Sequence, residues 1–306
     1  MDIFLTLFLK ILPLYALILL GFIAGKFLHV KKESIAPILI YIVAPVIVFN
    51  GVITTHLSPN ILSLPLLFLI ICSCMCLVFH VIASKIWHDS TKNIFAFAVG
   101  TGNTGYFGLP VALAIFDTHV LGIVVLSLLG FILYENTVGF FTVAKGHHTV
   151  EESIKKVLTL PTVYAFLLGI IINILGLHLG SIYADAAANF KGAYTILGMM
   201  IIGLGLSSID DYKFDVTFIG LTFFAKFLVW PIIIFSLIFL DNAFFHFYTV
   251  DMHKVMVLMS IVPLAANTVS FATQLKTQPE KAALAVLLST LFALVYIPII
   301  AVYFLK

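Results

Sequence analysis

Apolar residues run through this chain in long blocks, cut by short polar stretches. A helix needs about 20 predominantly apolar residues to cross a bilayer. Ten blocks approach that length, at residues 5–28, 35–55, 62–87, 93–116, 120–143, 159–178, 192–209, 216–240, 254–275 and 281–304. The pattern predicts an all-α polytopic membrane protein with ten transmembrane helices. The first block is too long, and its charged flanks are wrong, for a cleavable signal peptide, so it is expected to stay in the mature protein. The longest polar stretch, Lys145 to Lys156, holds His147, His148, Glu151 and Glu152 and divides the blocks five and five. The expected organisation is therefore a first five-helix half at 1–143, a central cytoplasmic loop at 144–158 and a second half at 159–306.

Composition excludes the alternatives. Of 306 residues, 62% are hydrophobic and 10% charged, with a mean hydropathy of +1.18. A soluble domain carries about a quarter charged residues, so a water-soluble fold is ruled out, and the loops leave no room for a soluble domain. All 16 basic residues are Lys, and no Arg is present. Guanidinium forks, the usual clamp for a carboxylate or phosphate, are thus missing. The lysines instead report orientation. Eleven lie in the odd-numbered loops and four on the other side, which places the odd loops in the cytoplasm and both termini outside. Cys72, Cys74 and Cys76 alternate within one apolar run and read as packing or lipid-facing residues. The histidines sit mainly near span ends, and no metal or other cofactor is expected.

The two halves look related. Pro13 with Leu20-Gly21 recurs as Pro161 with Leu168-Gly169 at one common offset, and spans four and nine carry the prolines Pro110 and Pro263. Five is an odd number, so a repeated five-helix half sits inverted in the membrane, an arrangement suited to alternating access.

The chemistry concentrates in spans four and nine. Span four reads Gly100-Thr101-Gly102-Asn103-Thr104-Gly105-Tyr106-Phe107-Gly108-Leu109-Pro110, a poor recipe for a continuous helix. Span nine holds Ser260-Ile261-Val262-Pro263-Leu264-Ala265-Ala266-Asn267-Thr268. A break inside a membrane persists only where protein or a water-filled cavity satisfies the freed backbone groups. If both helices break and cross at mid-membrane, their half-helix N-termini offer N–H groups and positive dipole ends to an anion without any arginine. The alternative is that the glycines only permit tight helix packing.

The run Gly102-Asn103-Thr104-Gly105-Tyr106-Phe107-Gly108-Leu109-Pro110 resembles the signature of the auxin efflux carrier family, which includes bacterial malate and malonate permeases and the plant PIN proteins. Ala44-Pro45 in span two and Val262-Pro263-Leu264-Ala265-Ala266-Asn267 in span nine extend the resemblance over essentially the whole chain. It implies two inverted five-helix repeats, with helices four and nine broken and crossed at Pro110 and Pro263. It also implies elevator-like movement of a transport domain, small organic anions as substrates, and a homodimer. Asn103, Thr104, Gly105 and Pro110, with Pro263, Asn267 and Thr268, then become candidate substrate contacts. The central loop is too short to be the long regulatory segment of the plant members, which favours a bacterial-type permease of the cytoplasmic membrane.

Ionisable groups inside spans are costly and usually face the protein interior. Glu135, followed by Asn136, is a candidate for proton or sodium coupling, or else a structural partner of Lys226 or of backbone donors. Lys226 is a candidate substrate contact, and Asn50, at the end of span two, is a further polar candidate. The remaining lysines read as topology markers, so anion binding is expected to tolerate their loss. Two other function classes compete. Glu151-Glu152 is faintly similar to the paired glutamate of an intramembrane metalloprotease, although it sits in a polar loop, and a passive channel would need a continuous pore lining. No P-loop suggests nucleotide-driven transport, and nothing suggests a nucleic-acid partner.

Overall fold

The computed structural model describes residues 3–54, 57–144, 159, 161–177, 179–207 and 214–304. Lys145, His147, His148, Glu151, Glu152 and Lys156 lie outside the described residues. Every described element is a helix. In chain order these are α1 (Ile3–Leu28), α2 (Lys32–Ile53), α3 (Pro59–Ser84), α4 (Thr91–Gly100), α5 (Leu109–Ile115), α6 (His119–Val143) and α7 (Pro161–Ile174). They continue as α8 (Ser181–Ser207), α9 (Val216–Phe245), α10 (Val250–Ile261), α11 (Asn267–Gln274) and α12 (Pro279–Phe304).

Six of these helices are long and apolar enough to cross a membrane: α2, α3, α6, α8, α9 and α12. The outward faces agree with a lipid surround. Leu66, Ile70, Leu77, Val81, Leu168, Ile171, Ile232 and Val295 are all exposed, far more apolar surface than a water-soluble monomer tolerates. These features mark a membrane protein. The blocks at 93–116 and 254–275 are not single helices: each is interrupted within its length. α8 begins at Ser181, well before the apolar block at 192, because its first turns are rich in alanine. Alanine is the strongest helix former but only weakly apolar, so a hydropathy profile misses them.

Caps and ion pairs fix several ends. The Asp215 carboxylate accepts the Phe218 N–H at 3.0 Å and starts α9, and it also pairs with Lys281 of α12 at 2.8 Å. Thr249 caps α10 by accepting the Met252 N–H at 3.4 Å. Between them the chain turns through His246, in the left-handed region at φ 50°. Asp241 ties that turn down by accepting the N–H groups of Phe247 and Tyr248 at 3.0 and 3.1 Å.

Several helix pairs pack through glycine, two of which join the halves of the chain. α1 lies along α8, where Gly21 faces the Met200 backbone and Gly203 faces the Ile18 carbonyl, with no room for a Cβ at either. α7 lies along α2, where Gly169 meets Val52. Lipid supplies no hydrophobic drive between helices, so close backbone approach and dispersion must hold such pairs together. α3 packs against both α4 and α6, over a buried aromatic cluster that includes Phe68, Phe131 and Trp230.

Candidate functional site

The first interruption is at Thr101–Asn103, between the end of α4 and a π-helical turn over Thr104–Gly108 that leads into α5. The second separates α10, which ends at Ile261, from α11, which begins at Asn267. The two meet. The Asn103 N–H donates to the Pro263 carbonyl at 2.8 Å, and the Asn103 carbonyl accepts the Gly108 N–H at 2.8 Å. Pro110 is buried in the first turn of α5 and is not at the meeting point. The chain is already helical through Gly108 and Leu109, so Pro110 sits within a continuous π-to-α run. The chain opens instead upstream, where Thr101, Gly102 and Asn103 give the weakest helix.

Each broken end needs new partners, and buried side chains supply them. Trp230 Nε1 donates to the Val99 carbonyl at 2.7 Å, and the Tyr134 hydroxyl to the Phe97 carbonyl at 3.2 Å. Across the second break, the Leu264 N–H donates to Ser289 Oγ at 3.1 Å. Three separate helices, α9, α6 and α12, therefore hold the interruptions open. This is the protein-lined setting in which irregular backbone survives at membrane depth.

Glu135 links the two breaks. It opens a π-helical turn in α6 (Glu135–Gly139) and is buried. Thr101 Oγ1 donates to its Oε1 at 2.9 Å, and Asn267 Nδ2 donates to its Oε2 at 2.9 Å. One carboxylate thus accepts from the first break with one oxygen and from the head of α11 with the other. Lys226 sits in another π turn, Ala225–Val229 of α9, and is 0% exposed. Its Nζ has no hydrogen-bond acceptor. It lies 4.7 Å from the centroid of the Trp230 ring, and a Cβ on Gly102 would come within 2.5 Å of it. Cation–π contact is its one described stabilising interaction. π turns recur at functional sites because they re-aim side chains within a helix, and here three of them bring in Thr104, Glu135 and Lys226.

Asn103, Thr104, Glu135, Asn267 and Lys226 thus belong to one neighbourhood. Asn103 Nδ2 and Thr268 Oγ1 are buried without partners. Gly105 faces the Tyr194 hydroxyl of α8. The Glu135–Lys226 pair, one of the readings the sequence left open, is not formed: Thr101 and Asn267 donate to the carboxylate, and Lys226 Nζ has no hydrogen-bond partner. Two candidates make no side-chain hydrogen bond to the breaks. Asn136 turns back to its own helix, donating to the Ile132 carbonyl at 2.9 Å. Asn50 is buried on α2 and makes no side-chain hydrogen bond to either break.

Thr101, Trp230, Tyr134 and Ser289 escape a reading of the sequence. Thr101 is in the glycine-rich run, so its position was the available signal; the other three are unremarkable members of apolar spans. A cavity of about 210 Å³ adjoins the site, with Asn267, Tyr106, Ser270 and Lys32 among its lining residues. No protein-family model and no curated protein matches this chain.

Proposed function

We propose that the chain is a secondary transporter of small organic anions, mono- or dicarboxylates, working in the cytoplasmic membrane by alternating access. The observation that carries this reading is the Glu135 carboxylate accepting from Thr101 and Asn267, and so tying together two interrupted, touching helices beside a cavity. Discontinuous helices meeting at membrane depth are the usual ground plan of a transporter binding site. A passive channel has no use for a buried carboxylate bonded on both oxygens. In the metalloprotease reading the reactive glutamates would be Glu151 and Glu152, which lie outside the described residues.

In this reading ten spans form two inverted five-helix halves, with α4–α5 and α10–α11 as the broken spans. The pairing of α1 with α8 and of α7 with α2 supports it, because Gly21 and Gly169 hold equivalent places in the two pairs. Elevator-like motion would slide the broken helices and their neighbours past the glycine-packed pairs. The lysine bias orients both termini outward, and a homodimer follows from the family resemblance. Glu135 is the group through which H⁺ or Na⁺ would act: freed of Asn267, it can take up either.

Uptake of radiolabelled malate, malonate, acetate and isovalerate by proteoliposomes of the purified protein tests the proposal. Saturable uptake of at least one, driven by a pH or Na⁺ gradient and competed by unlabelled acid, is the expected result. Uptake no faster than in protein-free vesicles for every acid and gradient would overturn it.

A further inference from the structure

The charge balance of the cavity beside Asn267 differs from what the sequence suggests. Lys32 lies next to Lys31 in a polar stretch and reads as one more loop lysine. In the fold it is the first residue of α2 and turns inward. Its Nζ donates to Ser270 Oγ of α11 at 2.8 Å across the cavity. Lys32 is the one charged side chain among the lining residues. Glu33, its neighbour in sequence, is exposed and does not line the cavity.

The remaining walls are of two kinds. Asn267 and Ser270, on the first turn of α11, bring polar groups and the positive end of that helix. Ile40, Ile201, Leu206 and Val286 make most of the rest apolar, with Tyr106 the one further residue that carries a polar group. Lys226 cannot serve as the anion's partner here, because it is 0% exposed and absent from the lining. A carboxylate in the cavity would therefore find one ammonium and a helix head. A second carboxylate would find no further cation among the lining residues, and burying an unpaired charge is costly.

We propose that Lys32 recognises the anion in this cavity and sets a preference for one carboxylate over two. The ligand class is a small monocarboxylate with an apolar body: its head displaces Ser270 from Lys32, and its tail lies against Ile40, Ile201 and Val286. This rests on the transport reading for its purpose but not for its test, which is equilibrium binding.

Thermal unfolding of the detergent-purified protein, titrated with isovalerate and with succinate, decides the matter. Isovalerate is expected to raise the melting temperature in a saturable way, with succinate at least tenfold weaker. Lys32→Gln is expected to weaken isovalerate at least tenfold, and Lys32→Arg to keep most of the affinity. Succinate binding as tightly as isovalerate, unchanged isovalerate affinity in Lys32→Gln, or no saturable shift by either acid would each overturn the proposal. Should Lys32→Gln unfold, Ser270→Ala replaces it: freeing Lys32 from its partner is expected to tighten isovalerate binding, and unchanged or weaker binding counts against the proposal. Binding that depends on Lys32 without any flux in proteoliposomes would contradict the transport reading alone. Flux indifferent to Lys32 would contradict this assignment alone.

Discussion

The α1–α8 contact and the meeting of the two helix breaks are both tightly packed, yet they use opposite materials. Along α1 and α8, Gly21 and Gly203 let backbone touch backbone, and dispersion does the work. At the breaks, Thr101, Asn103, Glu135, Lys226, Asn267 and Thr268 bring polar atoms into the interior, and Trp230, Tyr134 and Ser289 are needed to satisfy the opened backbone. Burying polar groups is costly even when they are paired. Much of that cost falls here, where Asn103 Nδ2, Thr268 Oγ1 and Lys226 Nζ are left without hydrogen-bond partners. In the transport reading proposed above, the first region is a static bearing and the second a site poised to bind.

The comparison can be broken most forcefully at the bearing. Gly203→Leu places a branched side chain against the Ile18 carbonyl. Overpacking of even flexible neighbours costs about 1–3 kcal/mol, and here the obstacle is backbone. The expected outcome is loss of monodisperse protein in size-exclusion chromatography. Gly192→Leu, where nothing lies within 4 Å of the added Cβ, is expected to behave as wild type.

A smaller effect is expected from Trp230→Phe. The change keeps an aromatic face toward Lys226 and removes the donor to the Val99 carbonyl. An unsatisfied buried acceptor costs about 1–3 kcal/mol, so the melting temperature should fall while the protein still folds. An unchanged melting temperature would mean that the first break does not depend on this bond.

Lys226→Met should have the smallest effect on stability, and of the opposite sign. An ammonium without an acceptor is an uncompensated buried charge, and apolar replacement of buried charge is often neutral or stabilising. A melting temperature equal to or above that of wild type is expected. A clear drop would show that Lys226 holds the break together and is not idle in this conformation.

Much of the architecture was legible in the residues. Uninterrupted Leu, Ile, Val and Phe located the apolar helices, and the glycines with Asn103 marked where one helix fails. The contacts that give the site its character were not legible. Thr101 and Asn267 reach Glu135 from distant parts of the chain, and nothing local announces such pairing. The sequence left Lys226 and backbone donors open as partners of Glu135, whereas two neutral side-chain donors hold the carboxylate. Proline misled as to where the first helix opens, because Pro110 sits within a continuous π-to-α run and the opening lies upstream at Thr101–Asn103. Lys32 lines the cavity and Lys226 is buried outside its lining, the reverse of what their places in the sequence suggest, and the reason is geometric. A lysine at a helix start can fold inward over a neighbouring helix, and a mid-span lysine can lie sealed behind the breaks, away from the cavity.

The central claim is that the carboxylate joining the two breaks is the working part of a transporter. Counterflow of whichever labelled carboxylate the wild-type protein takes up, compared with Glu135→Gln in matched proteoliposomes, tests it most directly. Glutamine can still accept from Asn267, and the Thr101 hydroxyl can turn to accept from the new amide, so the fold should survive. The account predicts a melting temperature close to wild type with flux reduced at least tenfold and no longer sensitive to pH. Wild-type flux with its pH dependence intact in Glu135→Gln would contradict it.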